Sequence, residues 1–189
     1  MQVASERDVV RRLLFALASI CWLVPLWGAT LEQLSLDDMI EKSSAIVRGR
    51  VTGSWAAFSG PSIFTHYRVQ VTERWKGPAD ATVEFVVPGG RVDRVRQVCS
   101  GAPELLEGKE YVLFLWASRA GVVHVIGLTQ GLFELPAAST GEALAVRPAS
   151  SEMMLEAGTG RAVTAERIEM RVRELSSRIS ANLSRGARK

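Results

Sequence analysis

Residues 63–75, IFTHYRVQVTERW, decide the fold predicted for this chain of 189 residues. Their side chains alternate: Ile63 and Tyr67 share an apolar face, whereas His66 and Arg68 share a face that is nearly all polar. This alternation is typical of an antiparallel strand that packs one face on a core and leaves the other in water. The stretch therefore predicts a half-buried β-strand.

Further short strands lie on both sides of this one in the sequence, and turns containing glycine or proline separate them. The predicted strands are residues 45–51, 82–87, 111–116, 122–128, 131–135 and 143–147. Residues 111–116 form a continuous apolar run, which predicts a strand covered on both faces. Ahead of the strands, residues 34–43 predict a short helix with Ser35 as its N-cap. The pattern favours a mainly β domain over residues 31–148, a small antiparallel β-barrel with a short N-terminal helix.

The C-terminal part has a different character. Residues 149–163 are small and polar and are interpreted as a linker. Residues 164–185 predict a basic amphipathic helix, because Ile168, Leu175 and Ile179 recur at helical spacing opposite an arginine-rich face. Three interpretations stay open: a helix packed on the barrel, a helix on a membrane surface, and a helix that binds a partner.

Residues 1–30 have the parts of a secretory signal. Three arginines precede the uncharged apolar run 13–26, and Ala29 follows at a plausible cleavage site. The apolar run has about 14 residues, fewer than the roughly 20 that a spanning helix needs. We therefore expect an exported protein, periplasmic or extracellular, and an uncleaved anchor through residues 13–26 stays open. We expect membrane contact only through this segment or the C-terminal helix.

The formal net charge of +3 is distributed unevenly. Residues 161–189 carry a net charge of +5, whereas residues 31–160 carry 12 basic and 15 acidic residues, a net charge of −3. A basic chain usually suggests a nucleic-acid partner. Because the predicted barrel is acidic and the chain is expected to be exported, we expect no nucleic acid and instead a protein or another cell-envelope component.

Cysteine usage excludes a disulfide scaffold in a chain that has lost its signal. Cys21 lies in the apolar run, which leaves Cys99 alone and rules out an intramolecular disulfide or a cysteine zinc cluster. We expect Cys99 to be buried and inert. No sequence pattern indicates a metal site or a cofactor, so none is predicted.

Five stretches together have a familiar rhythm: SSAIVRGRV (43–51), FTHYRVQVTERWKG (64–77), VPGG (87–90), LLEGKEYVLFL (105–115) and GLTQGLFEL (127–135). They resemble a family of exported bacterial proteins of unassigned function. More distantly, they are similar to the oligonucleotide/oligosaccharide-binding (OB) barrel of netrin-type modules and tissue inhibitors of metalloproteinases. The resemblance implies an OB-like barrel. Those inhibitors use an N-terminal cysteine and several disulfides, which this chain lacks, so their mechanism is not transferred.

Residues suited to catalysis are few. His66 lies on the polar face of its strand, where we expect it to be solvated. His124 lies among valines, and a Cys99–His124 dyad is the best enzyme hypothesis that the sequence offers. No nucleophile elbow and no phosphate-binding glycine loop accompany it. We therefore predict no catalytic residues and a protein that is not an enzyme.

Two groups of residues are candidates for binding. Trp55 and Phe58 are predicted to lie in the loop between the first two strands, where an aromatic side chain can anchor a partner. Arg91, Arg94 and Arg96 are predicted to add a cationic rim. The same residues also fit a loop that plugs the barrel and a solvated edge strand. We expect a non-enzymatic envelope binding module, with a regulator or inhibitor of a secreted protease and a thiol-dependent enzyme as alternatives.

Overall fold

The computed structural model describes residues 30–136, 142–150 and 152–186. The predicted export signal and most of the predicted turn at 139–142 lie outside the described residues. Within the described part, 49% of residues are in strands and 17% are in helices, which confirms the mainly β class.

The described chain contains thirteen strands and two α-helices. The strands are β1 (Thr30–Glu32), β2 (Ala45–Ser59), β3 (Ser62–Lys76), β4 (Thr82–Pro88), β5 (Gly90–Val92), β6 (Val95–Gln97), β7 (Glu110–Ala117), β8 (Val123–Val125), β9 (Leu132–Leu135), β10 (Leu144–Arg147), β11 (Met153–Leu155), β12 (Ala162–Val163) and β13 (Ile168–Arg171). The helices are α1 (Leu36–Lys42) and α2 (Val172–Gly186), and a 3₁₀ turn spans Leu128–Gly131.

Eight strands form one mixed sheet in the order β13-β10-β9-β7-β2-β3-β4-β8. Strand β8 also pairs with β7, through Leu115 opposite Val125 and Trp116 opposite His124. The pairing therefore passes through β7, β2, β3, β4 and β8 and returns to β7, so that the sheet is partly ringed.

The sequence predicts a wholly antiparallel arrangement, but the observed sheet contains one parallel pairing. Strand β4 runs parallel to β8, with Val86 opposite His124. The reason is geometric: five strands that pair in a ring cannot all alternate in direction, so one neighbouring pair must be parallel. Every other pairing around this ring is antiparallel.

Two apolar clusters lie on opposite faces of this sheet. The cluster that we call the inner cluster contains, among others, Val51, Tyr67, Val69, Phe85, Val87, Leu113 and Leu115. The helix-side cluster contains, among others, Met39, Ile40, Ile46, Val112, Phe114, Phe133, Leu175 and Ile179. Strand β7 contributes alternate side chains to both clusters, which confirms the predicted strand covered on both faces.

The β2–β3 hairpin is longer than predicted. Strand β2 continues to Ser59, and a turn at Gly60 and Pro61, with a left-handed Gly60 (φ 60°), leads into β3. Trp55 and Phe58 are therefore strand residues, and their predicted position in a loop is wrong. The second half of β2 is held by pairing with β3 rather than by an alternating pattern of its own, so the sequence pattern did not show it.

Residues 149–171 also differ from the prediction. Helix α2 begins at Val172 instead of residue 164, because residues Ile168–Arg171 form β13 and pair with β10. Part of the predicted linker forms β11 and β12, and β11 pairs in parallel with β1. Both segments take strand conformation because strands distant in the sequence offer backbone partners.

Helix α1 begins after Ser35, whose hydroxyl accepts a hydrogen bond from the Asp38 backbone N–H at 3.0 Å. Helix α2 buries Leu175 and Ile179 completely in the helix-side cluster and leaves its arginine face exposed. The apolar stripe of α2 is therefore used inside the protein. Neither helix of the described chain has the length and apolar character that crossing a membrane requires.

Candidate functional site

Two concave surfaces lie on opposite faces of β4. The outer groove, of about 250 Å³, is lined by Ser59, Phe64, His66, Val86, Ser118, Val122 and His124. The arginine cavity, of about 380 Å³, has a lining that includes Thr65, Tyr67, Val87, Arg91, Arg96, Cys99 and Glu104. Neighbouring residues Val86 and Val87 separate them, because successive side chains of a strand point to opposite faces.

The outer groove is built around one row of five residues that crosses five strands. Trp55 lies opposite His66, His66 opposite Val86, Val86 opposite His124, and His124 opposite Trp116. Residues that face each other in paired strands project from the same side of the sheet. The row therefore places a tryptophan–histidine pair at each end of the floor formed by Val86.

The aromatic rings of each pair are stacked. The ring centroids are 5.1 Å apart in Trp55–His66 and 5.1 Å apart in Trp116–His124, with interplanar angles of 10° and 24°. Trp55 remains 41% exposed and Trp116 39% exposed. The Arg68 guanidinium also lies over the Trp55 ring, 5.4 Å from its centroid, as a cation–π contact. Both tryptophans thus present flat, oriented apolar surface to solvent.

Partial burial lowers the pKa of His124 below its ordinary value, since burial disfavours the charged imidazolium. The histidine is therefore neutral at neutral pH, in keeping with its apolar neighbours. His66, predicted from its place on a polar strand face to be solvated, is partly buried and lines the same groove. The two histidines are 58 positions apart, and only the strand register brings them to the same face.

The arginine cavity lies beneath the β5–β6 hairpin. The Gly89 N–H donates to the Ile63 carbonyl at 2.8 Å, and the Ile63 N–H donates to Oε1 of Gln97 at 2.8 Å. Gly90 has φ 139°, and a Cβ there would lie 2.6 Å from Oγ1 of Thr65. Glycine at this position therefore lets the hairpin approach the beginning of β3 closely.

The cavity brings together two of the three predicted arginines. Arg91 lies directly opposite Arg96, whereas Arg94 lies at the turn of the hairpin and does not line the cavity. The turn is formed with Asp93 in the left-handed region, at φ 51°. None of these three arginines makes an ion pair with a residue that the structure describes.

The floor of the cavity carries hydroxyl groups. The Tyr67 hydroxyl accepts a hydrogen bond from the Leu105 N–H at 3.3 Å, and the Thr65 hydroxyl donates to the Gly89 carbonyl at 2.8 Å. Burial raises the pKa of Tyr67, and the negative charge of Glu104 adds to this effect. The phenol therefore stays protonated at neutral pH.

The five predicted binding residues do not form one site. Trp55 belongs to the outer face, whereas Arg91 and Arg96 belong to the arginine cavity. Phe58, which is 53% exposed, lies opposite Ile63 and so on the other face from Trp55. Neither histidine is a binding residue predicted from the sequence, and Trp116 is not among the predicted binding residues either. The sequence does contain tryptophans and histidines in several predicted strands. It does not show that they share a face, because that depends on how the strands pair.

The structure does not bring Cys99 and His124 together. Cys99 lines the arginine cavity, and His124 lines the outer groove on the opposite face of β4. Cys99 is half-buried rather than fully buried, with its Sγ 3.8 Å from the Ser100 carbonyl oxygen. Within the described ranges, no three His, Cys, Asp or Glu side chains are grouped in a way that would hold a metal ion.

Comparisons with known proteins do not identify the chain. No protein-family model matches it, and no curated protein matches it at a significant level.

Proposed function

We propose that this chain is an exported, non-enzymatic binding module of the cell envelope. In this proposal the outer groove binds a protein or another envelope component. The row from Trp55 to Trp116 is the observation that carries it, because two oriented tryptophans flank an apolar groove. Exposed aromatic side chains held rigidly by their neighbours are typical anchors of binding interfaces.

We also propose that the five ring strands close into a small OB-like barrel, as the resemblance to exported bacterial proteins and netrin-type modules implies. The inner cluster supports closure, since Tyr67 from β3, Phe85 from β4 and Leu115 from β7 pack in the same interior. The rings of Tyr67 and Phe85 are stacked with centroids 5.5 Å apart. On such a barrel the outer groove is an external wall rather than the interior.

The apolar character of the outer groove supports binding by contact rather than chemistry. Val86 forms its floor, Phe64 and Val122 line its sides, and the two histidines are each stacked on a tryptophan. A general base needs a nucleophile within hydrogen-bond reach and a group that orients it. Neither histidine has such a hydrogen bond to a described residue.

Site-specific photocrosslinking tests the proposal. Benzoylphenylalanine is placed at position 64, inside the groove, and at position 153 as a matched control, where Met153 is 61% exposed on a different sheet. We expect a discrete adduct from position 64 in cells that make the protein, and its loss when Trp55→Ala and Trp116→Ala are added. The same adducts from both positions, or an adduct unaffected by the tryptophan substitutions, would contradict the proposal.

A further inference from the structure

The arginine cavity contains a pair of like charges, neither of which forms an ion pair with a described residue. Arg91 and Arg96 face each other in the β5–β6 register, and both line the cavity. Directly opposed residues on a strand pair have their Cβ atoms about 4.5–5.5 Å apart, and like charges in this arrangement destabilise the pairing. The two guanidinium groups therefore repel each other, and this repulsion does not help β5 to pair with β6.

In the separate eight-stranded sheet, by contrast, two arginines face carboxylates that bind them. Arg48 lies opposite Glu73 and binds it at 2.5 Å. Arg68 lies opposite Glu84 and binds it at 2.7 Å. Among the strand pairings of the described chain, β5–β6 alone places an arginine opposite another arginine. This exception coincides with a cavity.

The other residues that line the cavity limit which kinds of anion could bind between the two arginines. A guanidinium pair binds oxyanions, and a carboxylate matches the planar fork of each arginine. Glu104 also lines the cavity, so a densely charged anion would meet a like charge there. The hydroxyls of Thr65 and Tyr67 suit the polar backbone of a peptide. A single carboxylate on an otherwise neutral peptide therefore fits the lining best.

We propose that the arginine cavity binds a carboxylate of a protein partner, held between Arg91 and Arg96. The volume of about 380 Å³ lies within the usual range of ligand sites. This site is distinct from the outer groove, because the two lie on opposite faces of β4. Its ligand chemistry therefore does not depend on the function proposed for that groove.

Calorimetric titration of the full chain at low salt tests this inference. The probes are acetyl-Ser-Gly-Glu-Gly-Ser-amide, its glutamine counterpart with an amidated end, and the same glutamine peptide with a free C-terminal carboxylate. Inorganic phosphate is the fourth probe. We expect at least one carboxylate-bearing peptide to bind roughly tenfold or more tightly than the amidated glutamine peptide, because charge-assisted hydrogen bonds are lost in the latter. The two carboxylate peptides distinguish a side-chain from a terminal source.

Variants localise the binding. Arg91→Gln and Arg96→Gln should each weaken it roughly tenfold, and Arg91→Lys should weaken it less because the charge is kept. Arg119→Gln is the matched control, since Arg119 is exposed and lies outside the cavity. Thermal unfolding of each variant verifies its fold.

Three results would overturn the inference. The first is equal affinity for the carboxylate peptides and the amidated glutamine peptide. The second is an affinity that neither Arg91→Gln nor Arg96→Gln reduces. The third is inorganic phosphate binding as tightly as the carboxylate peptides.

Discussion

Trp116 stacks on His124, with ring centroids 5.1 Å apart, at the point where β8 returns to β7. Trp116 and His124 belong to the candidate surface, and they are also one of the residue pairs that link β7 with β8. The surface and the fold are therefore coupled at this position, and changes to His124 should affect both.

The first prediction concerns acid stability. Burial lowers the folded-state pKa of His124 below its ordinary value of 6.5, so the unfolded state binds the proton more tightly than the folded state. The contribution to the free energy of unfolding is therefore complete above pH 6.5 and is lost as the pH falls through the folded-state pKa. Denaturant titrations at several pH values should show a weaker pH dependence for His124→Gln. The His66→Gln variant controls for loss of an imidazole, and an unchanged pH dependence in His124→Gln would refute the assignment.

A glycine in β2 provides the second prediction. A Cβ at Gly49 would lie 2.5 Å from the Gln70 carbonyl oxygen and 2.5 Å from Cγ1 of Val69, whereas a Cβ at Gly53 would have nothing within 4 Å. Gly49→Ala should lower the free energy of unfolding by about 1–3 kcal/mol through overpacking. Gly53→Ala, on the same strand, should be nearly neutral or slightly stabilising. Equal effects of the two substitutions in chemical denaturation would contradict the close approach of β2 and β3.

The third prediction tests the docking of α2. Ile179 is completely buried in the helix-side cluster, and its neighbour Ser180 is exposed. Ile179→Ala should lower the free energy of unfolding by about 2–5 kcal/mol, since it leaves a cavity in a packed core. Ser180→Ala should change it little. A helix that used its apolar face for a membrane or a partner would instead tolerate Ile179→Ala in thermal unfolding of the isolated protein.

The fourth prediction follows from the repulsion in the β5–β6 hairpin. Arg96→Glu would place a carboxylate opposite Arg91 and should raise the free energy of unfolding by about 0.2–1 kcal/mol at low salt. The gain should shrink as salt is added, because both groups are exposed. Arg94→Glu makes the same charge change at the turn of the hairpin and is the control. A destabilising Arg96→Glu would show that the arginines do not repel each other in the unliganded protein.

Local patterns in the sequence predicted much of the strand content. The half-buried strand expected at residues 63–75 is confirmed and spans Ser62–Lys76, and the apolar run at 111–116 lies in β7. Both predictions succeed because a strand buried on one face alternates apolar and polar side chains, whereas a strand buried on both faces is continuously apolar. The prediction of helix at β13 is wrong because Ile168 and the apolar residues after it fit helical spacing as well as strand alternation.

The candidate surfaces were harder to predict, for a different reason. Trp55, His66, Val86, His124 and Trp116 come from five strands, and their common row exists only once every register is set. The pairing of Arg91 with Arg96 was easier to predict, since both residues belong to one short hairpin. The missing information was long-range in one case and local in the other.

By itself, the sequence determined that the chain is mainly β, where most strands lie and which faces of β3 and β7 are apolar. These properties depend on side-chain order within a few residues. The tertiary structure alone decided the parallel β4–β8 pairing, the length of the β2–β3 hairpin and the meeting of the two histidines. The β4–β8 pairing and the meeting of the histidines depend on hydrogen bonds between segments distant in the chain, and the outer half of the hairpin depends on cross-strand pairing between β2 and β3. The order of side chains within one strand does not encode these registers.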